Sequence, residues 1–295
     1  LKIKNIDYEI IILNLAIFAV SMFRIYPSIY RIAACIQKGT FGKSVLNDLK
    51  EIFLYKNKEK ISSEAKEILD INFFNEIDIK NIDFKYEKNF DLTLKNINIK
   101  LNKGEFIGIK GETGAGKSTL VDIISGLLKP NQGIFKIGDE YNSETFPQNW
   151  HNKIGYVPQN ISLIDDTIIR NIALAINDKE INYKRIDEVI KLSKLEKFVN
   201  SNQKNSILGE RGVQVSGGEK QRIGIARALY HDRPIYIFDE ATNALDELTE
   251  EEILKSLKNH LKNKIVIIIS HKPSTLRFCE RIYSLKNKEL MITKM

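Results

Sequence analysis

The sequence predicts an α/β fold with a mainly parallel core sheet flanked by helices, and three observations support this. Strand-like and helix-like segments alternate from about residue 77 onwards, a pattern typical of parallel sheets with crossover helices. Two short apolar segments, IYIFDE at 235–240 and KIVIIIS at 264–270, are typical of interior strands. A glycine-rich loop, Gly111 to Thr119, lies between an apolar strand and an apolar helix.

The composition indicates a globular protein with dispersed charge. Hydrophobic residues make up 43% of the 295 residues and charged residues 28%, as in ordinary globular domains. Lysine and arginine total 45 against 38 acidic residues, a formal charge of +7. This charge permits a nucleic-acid or anionic-membrane partner. The lysines are scattered among isoleucine and asparagine, however, which favours a solvated surface, so we expect no nucleic-acid partner.

The two cysteines, Cys35 and Cys279, are far apart and lack metal-ligand spacing. This excludes a disulfide framework and fits a reducing compartment. The chain begins with Leu1 and shows no basic region followed by a cleavage site, so the N-terminus does not predict a signal peptide. We expect that Leu1 marks a point where a longer chain was cut.

The N-terminal segment is strongly apolar. Residues 10–23, IIILNLAIFAVSMF, are almost continuously apolar, and the apolar character continues to about Ile36 with breaks at Arg24, Pro27 and Arg31. The uninterrupted run is shorter than the roughly 20 residues that a spanning helix needs. Three interpretations stay open: the cytoplasmic half of a transmembrane helix that leaves the bilayer near Arg24, a buried helix of a soluble domain, or an amphipathic surface helix. Basic residues on the C-terminal side favour the first.

The elements that follow are predicted from periodicity. Residues 39–70 predict a polar helical connector that is broken at Gly39 and Gly42 and contains the amphipathic piece LNDLKEIFLY. Alternating residues in IDIKNIDFKY (77–86) and LTLKNINIKL (92–101) predict half-exposed strands. Helical patterns are predicted at 120–128, 181–199 and 223–230.

The glycine-rich loop predicts a phosphate site. Its sequence, GETGAGKS, fits G-x-x-x-x-G-K-[ST] in full and lies between the strand EFIGIKG and a helix. Glycines let backbone N–H groups cradle phosphate oxygens, and the helix directs its positive end at the same anion. Lys117 would neutralise phosphate charge and Ser118 would bind Mg²⁺. The predicted nucleotide-binding residues of the loop are Gly111, Glu112, Thr113, Gly114, Ala115, Gly116, Lys117, Ser118 and Thr119.

A second acidic element follows the buried strand IYIFDE. Asp239 emerges at the carboxyl end of this strand, where ligands bind in open α/β sheets. It is predicted to hold Mg²⁺ directly or through water. Glu240 is predicted to orient or deprotonate an attacking water. The alternative is an acidic strand end that faces solvent.

These motifs resemble the nucleotide-binding domain of ATP-binding-cassette (ABC) transporters. VSGGEKQR at 215–222 resembles the family signature, with Val215 where leucine is usual. Gln159 in YVPQN is similar to the Q-loop, NALD at 243–246 to the D-loop, and His271 after an apolar strand to the switch histidine. The resemblance covers about residues 77–290, with the motifs in their expected order.

Two further segments extend this resemblance. Tyr86 in IDFKY resembles the aromatic residue that stacks on adenine, and LGERG at 208–212 resembles the segment that touches the membrane domain in exporters. The resemblance implies a P-loop ATPase fold with an antiparallel β subdomain and a helical subdomain that carries the signature. Each of these residues, taken alone, has an ordinary structural explanation as a core, surface or loop side chain.

The resemblance also implies roles. It makes Glu240, His271 and Lys117 catalytic, with His271 as a γ-phosphate contact, and it makes ATP and Mg²⁺ the bound groups. Metal ligands are expected at Ser118, Gln159 and Asp239. Beyond the loop, the expected nucleotide contacts are Tyr86, Gln159, Ser216, Gly217, Gly218, Glu219 and Asp246.

The resemblance implies a second copy as partner. In the family, two domains dimerise head to tail, and the signature of one covers the γ-phosphate held by the loop of the other. Small residues at Ser216–Gly218 let backbone N–H groups approach a phosphate, and a helix that starts near Gly218 adds positive dipole charge. ATP then forms part of the interface.

The N-terminal segment carries a further resemblance. FAVSMFRIYPSIYRI at 18–32 is similar to the last transmembrane helix of single-chain exporters, and among these to flippases of lipid-linked oligosaccharides and related lipid or polysaccharide exporters. The implied organisation is a transmembrane remnant and connector at 1–70 and an ABC ATPase domain at 71–295. Implied partners are the transmembrane domain of the same longer chain and membrane lipid, with the ATPase on the cytoplasmic side.

Two hypotheses from other classes compete with an exporter. One is a soluble ABC ATPase that acts on nucleic acid or the ribosome; the charge permits it, and the apolar N-terminus argues against it. The other is a binding module with a degenerate site, which the presence of Lys117, Asp239, Glu240 and His271 disfavours.

Overall fold

The computed structural model describes residues 8–63, 74–86, 91–139, 141–147, 149–202, 207–208 and 215–294. The chain divides into two compact units, Leu1–Glu67 and Ile68–Met295.

The first unit contains one long helix, α1, from Tyr8 to Ser63. It runs through Gly39 and Gly42, so the predicted break at these glycines is wrong. Each glycine costs about 1 kcal/mol relative to alanine in a helix. Between them, Thr40 Oγ1 donates to the carbonyl oxygen of Gln37 at 2.8 Å, and the helix has many turns on both sides to maintain its hydrogen-bond ladder.

One part of α1, Ile10–Asn47, is long and apolar enough to cross a membrane, judged by length and composition. Its large apolar side chains are exposed, with Phe23 at 84%. At about 1.5 Å per residue, a helix of this length exceeds the roughly 30 Å of a bilayer's hydrocarbon core.

The second unit holds the strands and the remaining helices. Its described strands are β1 (Glu76–Phe84), β2 (Leu94–Asn102), β3 (Phe106–Gly111), β4 (Gln132–Ile137), β5 (Tyr141–Ser143), β6 (Ile154–Val157), β7 (Ile235–Asp239), β8 (Ile265–Ile269), β9 (Arg281–Lys286) and β10 (Glu289–Lys294). Its described α-helices are α2 (Lys117–Ile124), α3 (Ile168–Ile172), α4 (Tyr183–Leu192), α5 (Glu196–Asn202), α6 (Gly217–Tyr230), α7 (Glu247–His260) and α8 (Pro273–Leu276).

The strands form two sheets. An antiparallel sheet has the order β2-β1-β4-β5, and a six-stranded sheet has the order β10-β9-β3-β8-β7-β6. In the larger sheet every neighbouring pair is parallel except β9 with β10. The α/β prediction, with its mainly parallel core sheet and antiparallel subdomain, is therefore confirmed.

The core sheet is buried on both faces, as its apolar strands predict. On one face, Ile235 and Ile237 of β7 pack in a cluster with α2 and the antiparallel sheet. On the other face, Tyr236 and Phe238 pack with α3, α4, α6 and α7. Alternate residues of one strand thus bind the two layers together, and the carboxyl ends of β3 and β7 are fixed at one edge.

Two helix predictions differ from the structure in extent. The apolar pattern at 120–128 predicts a longer helix than α2, which ends at Ile124 because Gly126 takes φ +74. The pattern at 181–199 predicts one helix, but Lys194 takes φ +57 and separates α4 from α5. A left-handed residue ends a helix whatever the apolar periodicity beyond it.

Candidate functional site

A cleft of about 390 Å³ opens at the carboxyl ends of β3 and β7. Its lining residues are Thr93, Thr113, Gly114, Gly116, Lys117, Ser118, Thr119, Gln159, Asp239, Glu240 and His271. Four predicted motifs therefore meet in one place: the glycine-rich loop, the Q-loop glutamine, the acidic strand end and the switch histidine. They come from segments spread over more than 150 residues of sequence, and the parallel strand order brings them together.

The glycine-rich loop has the backbone that its glycines predict. Gly114 takes φ +82 and Gly116 φ +101, both in the left-handed region. Gly116 is the N-cap of α2 and offers no side chain to the first N–H groups of that helix, so those donors are available to an anion. A Cβ at Gly116 would lie 2.9 Å from Leu94 Cδ2, whereas a Cβ at Gly114 would meet nothing within 4 Å.

Lys117 is held at the centre of this loop. Its Nζ donates to the carbonyl oxygens of Gly111 at 2.7 Å and Glu112 at 2.9 Å. The loop thus wraps the ammonium group and places a positive charge on the floor of the cleft.

Tyr86 lies beside the loop rather than in the cleft lining. Its ring packs edge-on against Phe84 with 4.9 Å between ring centroids, and its hydroxyl lies 3.1 Å from Thr119 Oγ1. The ring is 40% exposed. An exposed aromatic face next to the phosphate loop is suited to stacking on a planar base.

Asp239 ends β7 and is nearly buried, at 7% exposure. Burial raises the pKa of this carboxyl above its usual value, and the neighbouring charge of Glu240 raises it further. A hydrogen bond from the hydroxyl of Tyr156 to Oδ2 at 3.3 Å and the charge of Lys117 lower that pKa in part. A cation bound beside Asp239 would favour the ionised form of this buried carboxyl.

Three side chains contact the carboxylate of Glu240. Gln159 Nε2 and Asn243 Nδ2 donate to its Oε2 at 2.8 and 2.9 Å, and His271 Nε2 lies 3.1 Å from its Oε1. The structure thus brings together two predicted catalytic residues, Glu240 and His271, with a predicted metal ligand, Gln159. Both carboxylate oxygens are oriented by the surrounding chain.

The backbone of Glu240 is also unusual. It takes φ +49, a conformation that costs a non-glycine residue on the order of 1–3 kcal/mol. Its N–H donates to the carbonyl oxygen of Ile269 at 3.0 Å, and Gln221 Nε2 donates to its carbonyl oxygen at 3.4 Å. A strained residue held by neighbouring segments is typical of a functional position.

The signature begins helix α6 with a capping box. Ser216 Oγ accepts from the N–H of Glu219 at 3.3 Å, and the Glu219 carboxylate accepts from the N–H of Ser216 at 2.8 Å. The helix starts at Gly217, one residue before the predicted start. Ser216 and Gly217 are exposed.

The signature and the D-loop lie against each other in the same molecule. A Cβ at Gly218 would lie 3.0 Å from the carbonyl oxygen of Ala244. Gln221, nearly buried, accepts from the N–H of Ala244 at 2.8 Å. Asp246 is the N-cap of α7 and accepts from the N–H of Thr249 at 2.9 Å, which lowers the pKa of this carboxyl.

The predicted site residues thus form two groups. Thr113, Gly114 and residues 116–119 of the loop share the cleft with Gln159, Asp239, Glu240 and His271, whereas Tyr86, Gly111, Glu112 and Ala115 are not among the lining residues. Ser216–Glu219 and Asp246 are absent from the described residues that line it. The LGERG segment cannot be placed, since residues 209–212 lie outside the described ranges.

Sequence reasoning missed three side chains that act on the cleft: Tyr156, Asn243 and Gln221. All three lie within or next to the quoted motifs, in IGYVPQN, NALD and VSGGEKQR. Their proximity to the motifs was the available signal. Gln221 and Tyr156 have their partners 19 and 83 residues away in sequence, so tertiary structure sets those contacts, whereas Asn243 contacts Glu240 only three residues away.

Comparisons with known proteins identify a family model and related proteins that this chain resembles. Residues 94–243 match the family model described as ABC transporter. The chain is similar to the alpha-hemolysin translocation ATP-binding protein of Escherichia coli O157:H7, at 38% identity over 72% of this chain and 30% of that protein. It is also similar to the ATP-dependent lipid A-core flippase of Salmonella typhimurium, at 32% identity over 89% of this chain and 44% of that protein.

Among solved structures, the chain resembles a bacterial Atm1-family ABC exporter with ATP bound. The TM-score is 0.68 and the identity 31%, over 74% of this chain and 38% of that one. The chain spans less than half the length of these relatives. They are exporters and a flippase, and none supports the soluble alternative.

The family match, the two-sheet architecture and the convergence of the loop, Gln159, Asp239, Glu240 and His271 in one cleft agree with each other. The chain belongs to the ABC transporter family and carries its ATP-binding domain.

Proposed function

We propose that this chain is the ATP-hydrolysing part of an exporter-type ABC transporter that moves a lipid-linked glycan, lipid or polysaccharide across the cytoplasmic membrane. One observation carries the proposal: Lys117, Asp239, Glu240 and His271 line the same cleft. The reaction would be in-line attack of water on the γ-phosphate of ATP.

The residues present fit ATP with Mg²⁺. The uncapped N-terminus of α2 and the Lys117 ammonium supply donors and positive charge for phosphates. Ser118, Gln159 and Asp239 offer the oxygen donors that Mg²⁺ prefers, and two of them follow or end elements of the core sheet. When held by these residues, Mg²⁺ would neutralise the negative charge that develops on the phosphates.

Glu240 is proposed as the group that takes a proton from the attacking water. Its carboxylate is oriented by Gln159, Asn243 and His271, which fixes the direction in which it can accept a hydrogen bond. His271 is proposed to contact the γ-phosphate from the end of β8. Tyr86 is proposed to stack on the base beside the loop.

A second copy is proposed to complete the site. The N-terminus of α6 leaves its first N–H groups without intrahelical partners, and the cap uses the N–H of Glu219 and that of Ser216 itself. Gly217 is exposed and Gly218 half-buried, and their N–H groups are proposed to remain available to an anion. The γ-phosphate in the other copy's cleft would bind there, so ATP would hold the dimer together.

The membrane role is proposed from α1 and the relatives. Ile10–Asn47 is suited to cross a bilayer, and one relative is named as a lipid A-core flippase. In this proposal the transmembrane domain of the same longer chain selects the substrate, membrane lipid surrounds α1, and the ATPase lies on the cytoplasmic side.

The test uses the native full-length protein in lipid vesicles. Vesicles with wild-type protein should hydrolyse ATP in the presence of Mg²⁺, and Lys117→Ala should remove this activity, while the exposed Lys103→Ala serves as control. A lipid-linked oligosaccharide in the vesicles should stimulate hydrolysis more than the same lipid without its glycan. Release of the protein from cell membranes by a high-salt wash would contradict the membrane role. Equal rates of ATP hydrolysis with both lipids would contradict a lipid-linked glycan as the substrate.

A further inference from the structure

A buried carboxylate outside the motifs ties three parts of the site together. Glu250 lies in the first turns of α7 and is 2% exposed. Its Oε1 accepts from Thr242 Oγ1 at 2.7 Å and from Thr275 Oγ1 of α8. Its Oε2 lies 3.3 Å from Lys272 Nζ.

The partners of Glu250 are next to functional segments. Thr242 is two residues after Glu240, and Lys272 follows His271 directly. Lys272 Nζ also donates to the carbonyl oxygen of Thr242 at 3.3 Å. One carboxylate therefore joins the segment after β7, the segment after β8 and the start of α8.

The position of Glu250 on α7 adds a link to the surface. The N-cap of α7 is Asp246, which belongs to the D-loop motif and is exposed. Glu250 lies one helical turn after Asp246, and its N–H donates to the carbonyl oxygen of Asp246 at 2.9 Å, so the end of the D-loop and the Glu250 carboxylate belong to the same turn of α7.

A carboxylate at this depth is costly unless its hydrogen bonds are complete. Apolar residues would fill the same space without that cost, and stability alone gives no reason for the charge. Here two hydroxyl groups and one ammonium group satisfy the carboxylate, so its geometry is tightly defined.

We propose that Glu250 is a positioning residue for ATP hydrolysis, which holds His271 and the D-loop in one register through Lys272 and Thr242. This inference rests on the proposed function. It assigns no contact with nucleotide to Glu250. Its removal should therefore impair turnover and leave the binding of ATP to the cleft in place.

The experiment measures kcat, KM for ATP and equilibrium ATP binding of the native full-length protein in lipid vesicles. Glu250→Gln keeps the shape and the acceptor for Thr242 and Thr275 but removes the charge that faces Lys272. We expect kcat to fall between about 10-fold and 100-fold, as small displacements of catalytic groups do, with KM and ATP binding nearly unchanged. Glu252→Gln, whose side chain is 63% exposed, is the matched control and should leave kcat unchanged.

A double-mutant cycle separates positioning from mere stability. If Glu250 acts through Lys272, then Glu250→Gln, Lys272→Gln and the double variant should lower kcat by similar factors, that is, non-additively. Thr275→Val removes one hydrogen bond to Oε1 of Glu250 and should lower kcat by a smaller factor. This variant tests the positioning role if the charge variants do not fold.

The outcomes distinguish the two proposals. If wild-type protein shows no Mg²⁺-dependent ATP hydrolysis, the proposed function is wrong. If wild-type protein hydrolyses ATP and Glu250→Gln keeps its kcat, or if kcat falls only in proportion to the fraction of folded protein, the positioning role is wrong.

Discussion

Replacing Glu240 by glutamine should stop ATP turnover while ATP stays bound. The substitution keeps the size of the side chain but removes its charge and its capacity to accept a proton from water. Lys117 and the backbone of the loop are untouched, so nucleotide affinity should be retained. In the proposed dimer, ATP that is not hydrolysed should hold the two copies together.

The magnitude follows from the three contacts of Glu240. Gln159 and Asn243 both donate to Oε2, so a glutamine keeps these bonds only with its oxygen at that position. Its amide NH₂ group then faces His271 Nε2, which must accept. Two charge-assisted bonds become neutral ones at a cost of about 1 kcal/mol each, which is tolerable for folding. Loss of general-base catalysis should lower turnover by about 10²–10⁴-fold.

Three measurements test this prediction on the full-length protein: the rate of ATP hydrolysis, the amount of ATP retained, and the subunit count by light scattering. Glu76→Gln is the matched control, because Glu76 is a carboxylate of the antiparallel sheet that pairs with Lys100 at 2.8 Å. If Glu240→Gln hydrolyses ATP near the wild-type rate, the role of Glu240 is wrong. If it stops turnover without a lasting ATP-bound dimer, the head-to-tail arrangement is wrong.

Three further predictions concern single residues. Gly217→Asp should abolish turnover, because it places a carboxylate where the γ-phosphate of the other copy would bind. ATP binding should stay nearly intact, since a Cβ at this position meets only an ordinary 3.4 Å contact in its own copy; parallel titration and rate measurements check this, and lost binding would contradict it. Tyr156→Phe removes a hydrogen bond that lowers the pKa of Asp239, so this pKa should rise. Because Asp239 must be ionised to bind a cation, the acidic limb of the kcat/KM profile should shift to higher pH, and an unmoved limb refutes this. Gly116→Ala should lower the free energy of unfolding more than Gly114→Ala. Both incur roughly 1–2 kcal/mol of left-handed strain, but only the first adds a side-chain clash. Equal midpoints of urea unfolding would contradict this prediction.

The sequence predicted the parts of the fold that local pattern controls. The loop at Gly111–Thr119 and the strand before Asp239 lie where predicted because glycine spacing and a continuous apolar run are local signals. The break at Gly39 and Gly42 was wrong because glycine lowers helix stability by an amount that the neighbouring turns can offset.

The cleft was predictable as a set of motifs and not as a geometry. Nothing local to Gln159 indicates that it donates to the same oxygen of Glu240 as Asn243, which lies only three residues after that glutamate. The pairing depends on β6, β7 and β8 lying side by side in register, and register is a property of the whole sheet. For the same reason Glu250, a single glutamate in an acidic run, carries no sequence signal of its burial.

The two halves of the proposed site are held in different ways, and this bears on how ATP and dimerisation are linked. The half around Lys117 is fixed by segments from several strands, whereas the signature half is an exposed helix start that packs on Ala244 of the D-loop. The same D-loop ends at Asp246, the N-cap of α7, whose Glu250 reaches Lys272 beside His271. With the proposed positioning role of Glu250, a partner copy that contacts this D-loop would act on the first copy's own cleft through α7. Linkage requires the reverse as well, so ATP bound in the cleft should strengthen dimerisation by the same factor that dimerisation strengthens ATP binding.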